Sequence, residues 1–248
     1  MPQLLGTLLK ATQVLDALEE SAPVGVRELS RRLGMEKSAV SRILLTLNAS
    51  NYVRVTDGGG YDLGLRLFEL GRTLQERMPF RQMVIPFVDE IARETGETVF
   101  AVHYNQHQIA YLYDCVSDQD IRLGERTGAR ESPWTHPAGI AMLAHHDEPE
   151  VLAFLAAARR IQRKGLPTID RFRRELDSAR QRGYSDQCDQ EKHLIAVPVL
   201  GDTSPVSSAL MIGGPAFRIA PSRSKALARL LIRQAADLSG ALGWTDTT

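Results

Sequence analysis

The chain has 248 residues, of which 43% are hydrophobic and 24% are charged, a balance typical of a protein that buries a core. This composition excludes a disordered, collagen-like or low-complexity protein. No apolar run reaches the ~18 residues of a membrane span, and the N-terminus lacks the features of a signal peptide. We therefore expect a cytoplasmic protein without membrane contact, in which Cys115 and Cys188 are reduced thiols.

Charge is unevenly distributed along the chain, although the formal net charge is zero. Residues 27–54 contain six basic and two acidic side chains, which gives a local charge of +4, and acidic residues lie just before them. A basic patch beside an acidic one suggests a surface that meets a polyanion such as DNA. A solvated helix face would give the same pattern, so charge alone does not decide between the two.

The N-terminal part of the chain predicts three helices. Apolar side chains at helical spacing predict them over residues 7–20, 27–33 and 36–50. Gly34 stands between the second and third helices, where a sharp turn needs a residue that adopts positive φ. Two short helices joined by a glycine turn, the second basic and hydroxyl-rich on its outer face, describe a helix-turn-helix.

A β-hairpin is predicted directly after the third helix. Residues 52–55 and 61–63 have the composition of short strands, and the turn between them contains Asp57 followed by three glycines. A hairpin in this position is typical of the wing of a winged helix. The sequence therefore predicts a winged helix-turn-helix over residues 1–63.

Residues 64–78 predict a linker helix that leads to Pro79, with Leu67, Leu70 and Leu74 on one side. Such a helix can transmit displacement between two domains better than a flexible coil does. It can equally be a passive spacer, because docking alone needs the same apolar stripe. Both interpretations stay open at the level of sequence.

Residues 79–248 show a mixed pattern of helices and strands. Helices are predicted over residues 83–94, 140–158 with a break at Pro149, 169–183 and 221–242. Strands are predicted as two pairs, over residues 98–104 with 109–116 and 194–200 with 206–213. Antiparallel strands with helices at both ends predict an α+β domain, so the whole chain is expected to be a two-domain α+β protein.

Six short stretches stand in a characteristic order and spacing along the chain. They are LSRRLGMEKSAVSR (29–42), YDLG (61–64), TGETV (95–99), HPAGIAMLA (136–144), RGY (182–184) and IAVPV (195–199). Through them the chain resembles the IclR-type bacterial transcriptional regulators over essentially its whole length. The resemblance implies a GAF-like sheet domain with a small-molecule pocket, and assembly as homodimers or as dimers of dimers.

The winged helix is expected to bind a near-palindromic double-stranded DNA operator, because one winged domain makes few contacts and a dimer doubles them. The candidate base-contacting residues are Ser38, Ser41 and Arg42, on the outer face of the third helix. The candidate phosphate-contacting residues are Arg31, Lys37 and Arg54.

The resemblance implies an effector pocket that has lost several of the family's polar anchors. Pro137 stands where the family can offer a backbone N–H to an effector carboxylate, and proline has none. Gln187 stands where the family often has Asp, Leu194 occupies a pocket-lining position, and Met211 and Gly213 replace hydroxyls. We therefore expect a mainly apolar effector, such as an aromatic or alicyclic metabolite, bound through buried area.

An alternative is a pocket that Met211 and Leu194 partly fill and that binds nothing, although Gly213 is expected to open space. The candidate effector-binding residues are Thr135, His136, Ala138, Asp186, Gln187, Leu194, Met211 and Gly213.

Enzyme activity is not expected from the titratable residues. Residues 145–148 (His-His-Asp-Glu) look like metal ligands, but adjacent helical side chains point ~100° apart and do not converge. Cys188 near His193 lacks an orienting group and an oxyanion hole. We expect no catalytic residues, no metal and no cofactor.

The sequence thus predicts a ligand-responsive DNA-binding transcriptional regulator, with repression favoured over activation. The alternatives are a metabolic enzyme fused to a DNA-binding domain and a DNA-binding protein without an effector.

Overall fold

The computed structural model describes residues 4–105, 108–161, 166–201 and 206–244. The chain divides into two compact units, Met1–Met78 and Pro79–Thr248. The first is helical with a two-stranded sheet, and the second is built on a six-stranded sheet. The predicted α+β class is confirmed. Within the described ranges, no helix has the length and apolar character needed to cross a membrane.

The first unit has the helices and the hairpin that the sequence predicts. Its elements are α1 (Gly6–Ser21), α2 (Val26–Leu33), α3 (Lys37–Ala49), β1 (Val53–Val55), β2 (Tyr61–Leu63) and α4 (Leu65–Glu76). The apolar faces of α1, α2 and α3 meet in one core, where Leu18, Leu29 and Leu44 are fully buried. Val24 forms an isolated antiparallel bridge with Tyr61, which ties the segment before α2 to the hairpin.

Backbone conformation sets the two sharp turns of this unit. Gly34 has φ of 61° and ends α2, where its N–H donates to the carbonyl of Ser30. Gly64 lies against the end of α3, and its N–H donates to the carbonyl of Tyr52 at 2.8 Å. A Cβ atom on Gly64 would lie 2.8 Å from the carbonyl carbon of Asn51, so only glycine fits at this close approach.

The second unit contains eleven elements in its described residues. They are α5 (Pro79–Thr95), β3 (Thr98–Asn105), β4 (Gln108–Cys115), β5 (Arg130–Glu131), α6 (Pro137–Leu143), α7 (Glu148–Ile161), α8 (Ile169–Arg182), β6 (Ser185–Cys188), β7 (Lys192–Val199), β8 (Ser208–Pro215) and α9 (Pro221–Ala241). The sheet order is β5-β4-β3-β8-β7-β6, and the neighbouring strands pair antiparallel.

Side chains on the two faces of this sheet enter two different cores. Along β8, Leu210 and Ile212 pack with α5 and α9, whereas Ala209 and Met211 pack with α6 on the opposite face. This alternation follows from the two-residue period of a strand. A third cluster, with Phe172 at its centre, joins α6 to α7 and α8. The α6 face of the sheet is the one that carries the cavity described below.

The structure differs from the sequence expectation at four places. The short edge strands β5 and β6 were not predicted. The helix expected over residues 140–158 begins at Pro137, and its break lies at residues 144–147 rather than at Pro149, which stands in the first turn of α7, where its missing N–H costs no hydrogen bond. Helix α5 begins at Pro79 rather than near Met83, and it accommodates Pro86 in its interior.

Candidate DNA-binding and effector-binding sites

Helix α3 presents its hydroxyl-bearing and basic side chains on the face opposite the core. Val40 and Leu44 are fully buried in the first unit, while Ser38 and Arg42 are exposed and Ser41 is partly exposed. The burial of one face leaves the other free to enter a DNA groove. The structure therefore places the three candidate base-contacting residues on one accessible surface, and their contact with bases stays a prediction.

The candidate phosphate-contacting residues differ in their counterions. Arg31 donates to Glu28 through Nη2 at 2.6 Å and Nε at 3.0 Å, and Arg54 pairs with Asp62. Hydrogen bonds from Arg31, and then from Arg32, lower the pKa of Glu28 to about 2, so this carboxylate is charged at neutral pH.

Lys37 and Arg42 have no ion-pair partner in the part of the chain that the structure describes. Among the candidate DNA-contacting cations, these two therefore have less competition for DNA than Arg31 and Arg54, which share their charge with a carboxylate. The sequence analysis did not consider the Glu28 pairing, although its spacing of three and four residues from Arg31 and Arg32 is a recognised ion-pair pattern on a helix.

A cavity of about 290 Å³ lies on the α6 side of the six-stranded sheet. Its apolar wall consists of Phe100, Leu123, Leu194 and Met211. Its other lining residues are Tyr111, Gly124, Arg126, Glu131, Thr135, His136, Gln187 and Lys192. Five of the eight candidate effector-binding residues line this cavity: Thr135, His136, Gln187, Leu194 and Met211.

The other three candidates lie elsewhere. Ala138 is fully buried, and its N–H donates to Nδ1 of His136 at 3.3 Å, so it is not free for a ligand. Asp186 accepts from Arg182 at 2.7 Å and faces a neighbouring groove.

Gly213 does not open the cavity, and the expectation that it does is wrong. A Cβ atom at Gly213 would meet Leu123 and would lie 2.8 Å from Cδ2 of Leu194. The space that the small residue leaves is therefore filled by two leucine side chains from other segments. A larger residue here would require these leucine side chains to shift, whether or not a ligand is bound.

His136 and Tyr111 form a buried hydrogen-bonded pair beside the cavity, with 3.0 Å between Nε2 and the phenolic oxygen. Because Nδ1 accepts the N–H of Ala138, the proton of the neutral ring lies on Nε2 and is donated to Tyr111. The hydroxyl hydrogen of Tyr111 is then free to bond a ligand.

Burial, with smaller contributions from Arg126 and Lys192, lowers the pKa of His136 to about 4, and burial raises that of Tyr111 to about 12. Both are therefore neutral at pH 7. The sequence analysis missed Tyr111, whose signal is its place two residues after buried Ile109 on one face of β4.

The cavity also contains two cations that the sequence analysis did not consider. The guanidinium of Arg126 lies 5.4 Å from the centre of the Tyr111 ring and pairs with Glu131. Lys192 has no ion-pair partner within the described ranges. The premise that the cavity lacks hydrogen-bond donors is therefore wrong. Arg126 and Lys192 lie outside the positions that match the family's pattern, so the resemblance does not point to them.

Two of the histidines considered as metal ligands or bases, His146 and His193, have structural contacts. His146 contacts the carbonyl of Val206 at 2.8 Å. His193 contacts the carbonyl of Ile219 at 3.0 Å and Asp186 at 3.3 Å, so both of its ring nitrogens are engaged. Cys188 is the cross-strand neighbour of His193, yet its thiol faces the carbonyl of Asp189.

A winged helix-turn-helix joined to a second unit with a ligand-sized cavity defines a DNA-binding regulator that responds to an effector. Two family models match the chain: the IclR helix-turn-helix domain over residues 7–57, and the bacterial transcriptional regulator IclR C-terminal domain over residues 73–240. The chain belongs to the IclR family of transcriptional regulators.

Curated relatives and solved structures match over nearly the whole chain. The HTH-type transcriptional regulator KdgR of Escherichia coli K12 is 31% identical over 99% of this chain and 95% of its own. The HTH-type transcriptional repressor AllR of Salmonella typhimurium is 26% identical over 95% and 89%. An IclR homologue from Microbacterium hydrocarbonoxydans, complexed with 4-hydroxybenzoate, has the same fold, with a TM-score of 0.76 at 18% identity over 96% and 99%.

The exposed face of α3 predicts the effect of removing Arg42. Arg42→Ala should weaken binding to a DNA site that the wild-type protein selects from a random pool, by about 1–3 kcal/mol. Binding to unrelated DNA should change little. Lys225→Ala, which removes one positive charge from an exposed position of α9, is the matched control and should leave discrimination intact. Unchanged discrimination in Arg42→Ala would show that this face of α3 does not read bases.

The buried neutral state of His136 predicts a pH dependence of stability. Between its ordinary pKa near 6.5 and its folded pKa of about 4, the unfolded chain binds a proton that the folded chain does not. The free energy of unfolding should therefore not depend on His136 above pH 6.5. As the pH falls from 6.5 towards 4, protonation of His136 in the unfolded chain should lower this free energy by up to about 3 kcal/mol. Urea unfolding at pH 7 and pH 4.5 should show a smaller pH effect in His136→Gln than in wild type. An equal pH effect in both proteins would contradict the assignment.

Proposed function

We propose that the protein regulates transcription by binding a small carboxylic acid with an apolar body in the cavity of the second unit. The observation that carries this proposal is the division of the cavity lining into two chemistries. An apolar wall that includes Phe100 and Met211 lies in the same cavity as Lys192, Arg126 and the free hydroxyl hydrogen of Tyr111. Such a lining matches an amphipathic acid better than a purely apolar compound.

The net charge of the cavity lining favours an acidic ligand. Arg126 and Lys192 are opposed by Glu131 alone among the described lining residues, which leaves a net charge of +1. A carboxylate gains charge-assisted hydrogen bonds there, each worth about 1.5–3 kcal/mol, and these offset its desolvation. The expected aromatic or alicyclic body is retained, because each Å² of apolar surface that it buries gains ~25 cal/mol. The ligand of the Microbacterium homologue, 4-hydroxybenzoate, combines both features.

The active species in this proposal is a homodimer or a dimer of dimers on a near-palindromic operator in the bacterial cytoplasm. Helix α4 buries none of its residues, and Leu65, Phe68 and Leu74 are each more than 60% exposed. The start of α1 likewise exposes Leu5 and Leu8. Exposed apolar helix surface of this kind marks an interface. A two-fold interface in the DNA-binding unit presents two α3 helices to symmetric half-sites.

Repression is favoured over activation, in line with the name of the AllR relative. We propose no catalytic role, because His146 and His193 are engaged in structural contacts and the curated relatives are named as regulators.

The acid-binding proposal is tested with benzoate and its neutral analogue benzamide. Benzoate should raise the melting temperature of the wild-type protein, and benzamide should not, because only the acid engages the two cations. Lys192→Gln should weaken benzoate binding about tenfold, which corresponds to one charge-assisted bond. Lys225→Gln, an exposed lysine on α9, is the matched control and should bind as wild type. Equal stabilisation by benzoate and benzamide would contradict the acid-binding proposal.

The dimer proposal is tested in helix α4. Phe68→Glu places a charge on the apolar surface and should shift the protein towards monomer in sedimentation equilibrium, with a matching loss of operator affinity. Thr73→Glu introduces the same charge at a polar position of α4 and should leave the assembly unchanged. A Phe68→Glu variant that assembles as wild type would exclude α4 as the interface.

A further inference from the structure

A second cavity in the second unit has no role in the proposal above. It is a groove of about 680 Å³ lined by α8, by β6 and by the segment that enters α6. Its apolar side includes Trp134, Pro137 and Ile140. From α8 it receives Arg171, Arg174, Ser178 and Arg182, whose spacing of three, four and four residues places them on one face of the helix.

Among the residues that the structure describes, one cation of the groove has no counterion. Arg171 donates to Glu175 at 2.8 Å, and Arg182 donates to Asp186 at 2.7 Å, so these two guanidinium groups are already neutralised. Arg174 has no such partner within the residues that the structure describes. A guanidinium of this kind beside apolar surface is suited to bind a planar anion such as a carboxylate.

The groove shares two residues with the cavity of about 290 Å³ described above, which we call the effector cavity. Thr135 and Gln187 line both spaces, and both are exposed. Neither side chain has a hydrogen-bond partner in the described part of the protein. Thr135 and Gln187 therefore stand where the two spaces adjoin, and they offer a hydroxyl and an amide that make no hydrogen bond within the described residues.

We propose that the effector cavity and the groove form one elongated site for a dicarboxylic acid. The inner carboxylate binds beside Lys192 and Tyr111, as in the proposed function, on which this inference rests. The outer carboxylate binds Arg174, and the chain between them passes Thr135 and Gln187. Because the two cations stand in separate cavities, only a ligand long enough to span the junction engages both.

The test uses a series of α,ω-dicarboxylates from succinate to sebacate, each paired with the monocarboxylate of equal chain length. In calorimetric titration of the wild-type protein, the longer diacids should bind at least tenfold more tightly than their monoacids, while succinate should gain nothing. Arg174→Gln should remove this tenfold advantage and leave monoacid binding unchanged. Arg173→Gln is the matched control, because Arg173 is adjacent on α8 but pairs with Glu148 outside the groove.

The outcomes separate the two proposals. If long diacids bind no better than monoacids, or if Arg174→Gln keeps the advantage, the elongated site is overturned while the inner acid site stands. If Arg174→Gln weakens monoacids and diacids equally, Arg174 does not bind a second carboxylate, and the inference fails in the same way. If no acid of either series binds, the elongated site is overturned, and the benzoate titration decides separately whether the acid-binding function stands.

Discussion

The second unit depends on one buried carboxylate. Glu97 is fully buried and accepts hydrogen bonds from Arg218 at 2.6 and 2.7 Å and from Arg223 at 2.8 Å. The two arginines also donate to the carbonyls of Ile121 and Thr95, at 2.8 and 2.9 Å. Because breaking a buried ion pair typically costs about 3–5 kcal/mol, this cluster ties the start of β3 to the N-terminal end of α9 and to the irregular segment after β4.

The same cluster positions a wall of the effector cavity. Thr98, next to Glu97, donates to the carbonyl of Leu123 at 2.8 Å, and Ser117 donates to the carbonyl of Gly96 at 2.6 Å. Leu123 and the nearby Arg126 line the cavity although they lie in no helix or strand. The TGETV stretch thus has a physical role, because it holds the segment that carries part of the cavity lining.

The two faces of the sheet connect the cavity to the rest of the second unit. Strand β8 contributes Met211 to the cavity and Leu210 and Ile212 to the core formed with α5 and α9. A ligand that displaced Met211 would act on a strand whose opposite face packs against α9, and α9 packs against α5 in the same core. Close packing transmits such displacements, since protein interiors contain little free volume.

Features of the fold that depend on local periodicity are predictable from the sequence. The helix-turn-helix follows from the spacing of apolar residues on three helices and from Gly34 at the turn, all within a short stretch of chain. The α+β class follows in the same way from alternating and helical patterns. Short strands such as β5 escape this reasoning, because a strand of two residues has no period to detect and forms only where a neighbouring strand offers a partner.

Tertiary structure alone decided the chemistry of the cavity. Arg126, Lys192 and Tyr111 are distant in the chain and meet because of the order of the strands and the path of the segment after β4. Gly213 shows the same limit in the opposite direction. A glycine predicts open space, yet the register of β7 and β8 and the position of Leu123 fill it. Which side chains share a cavity depends on pairing and register across the sheet, and neither is encoded in the local spacing of residues.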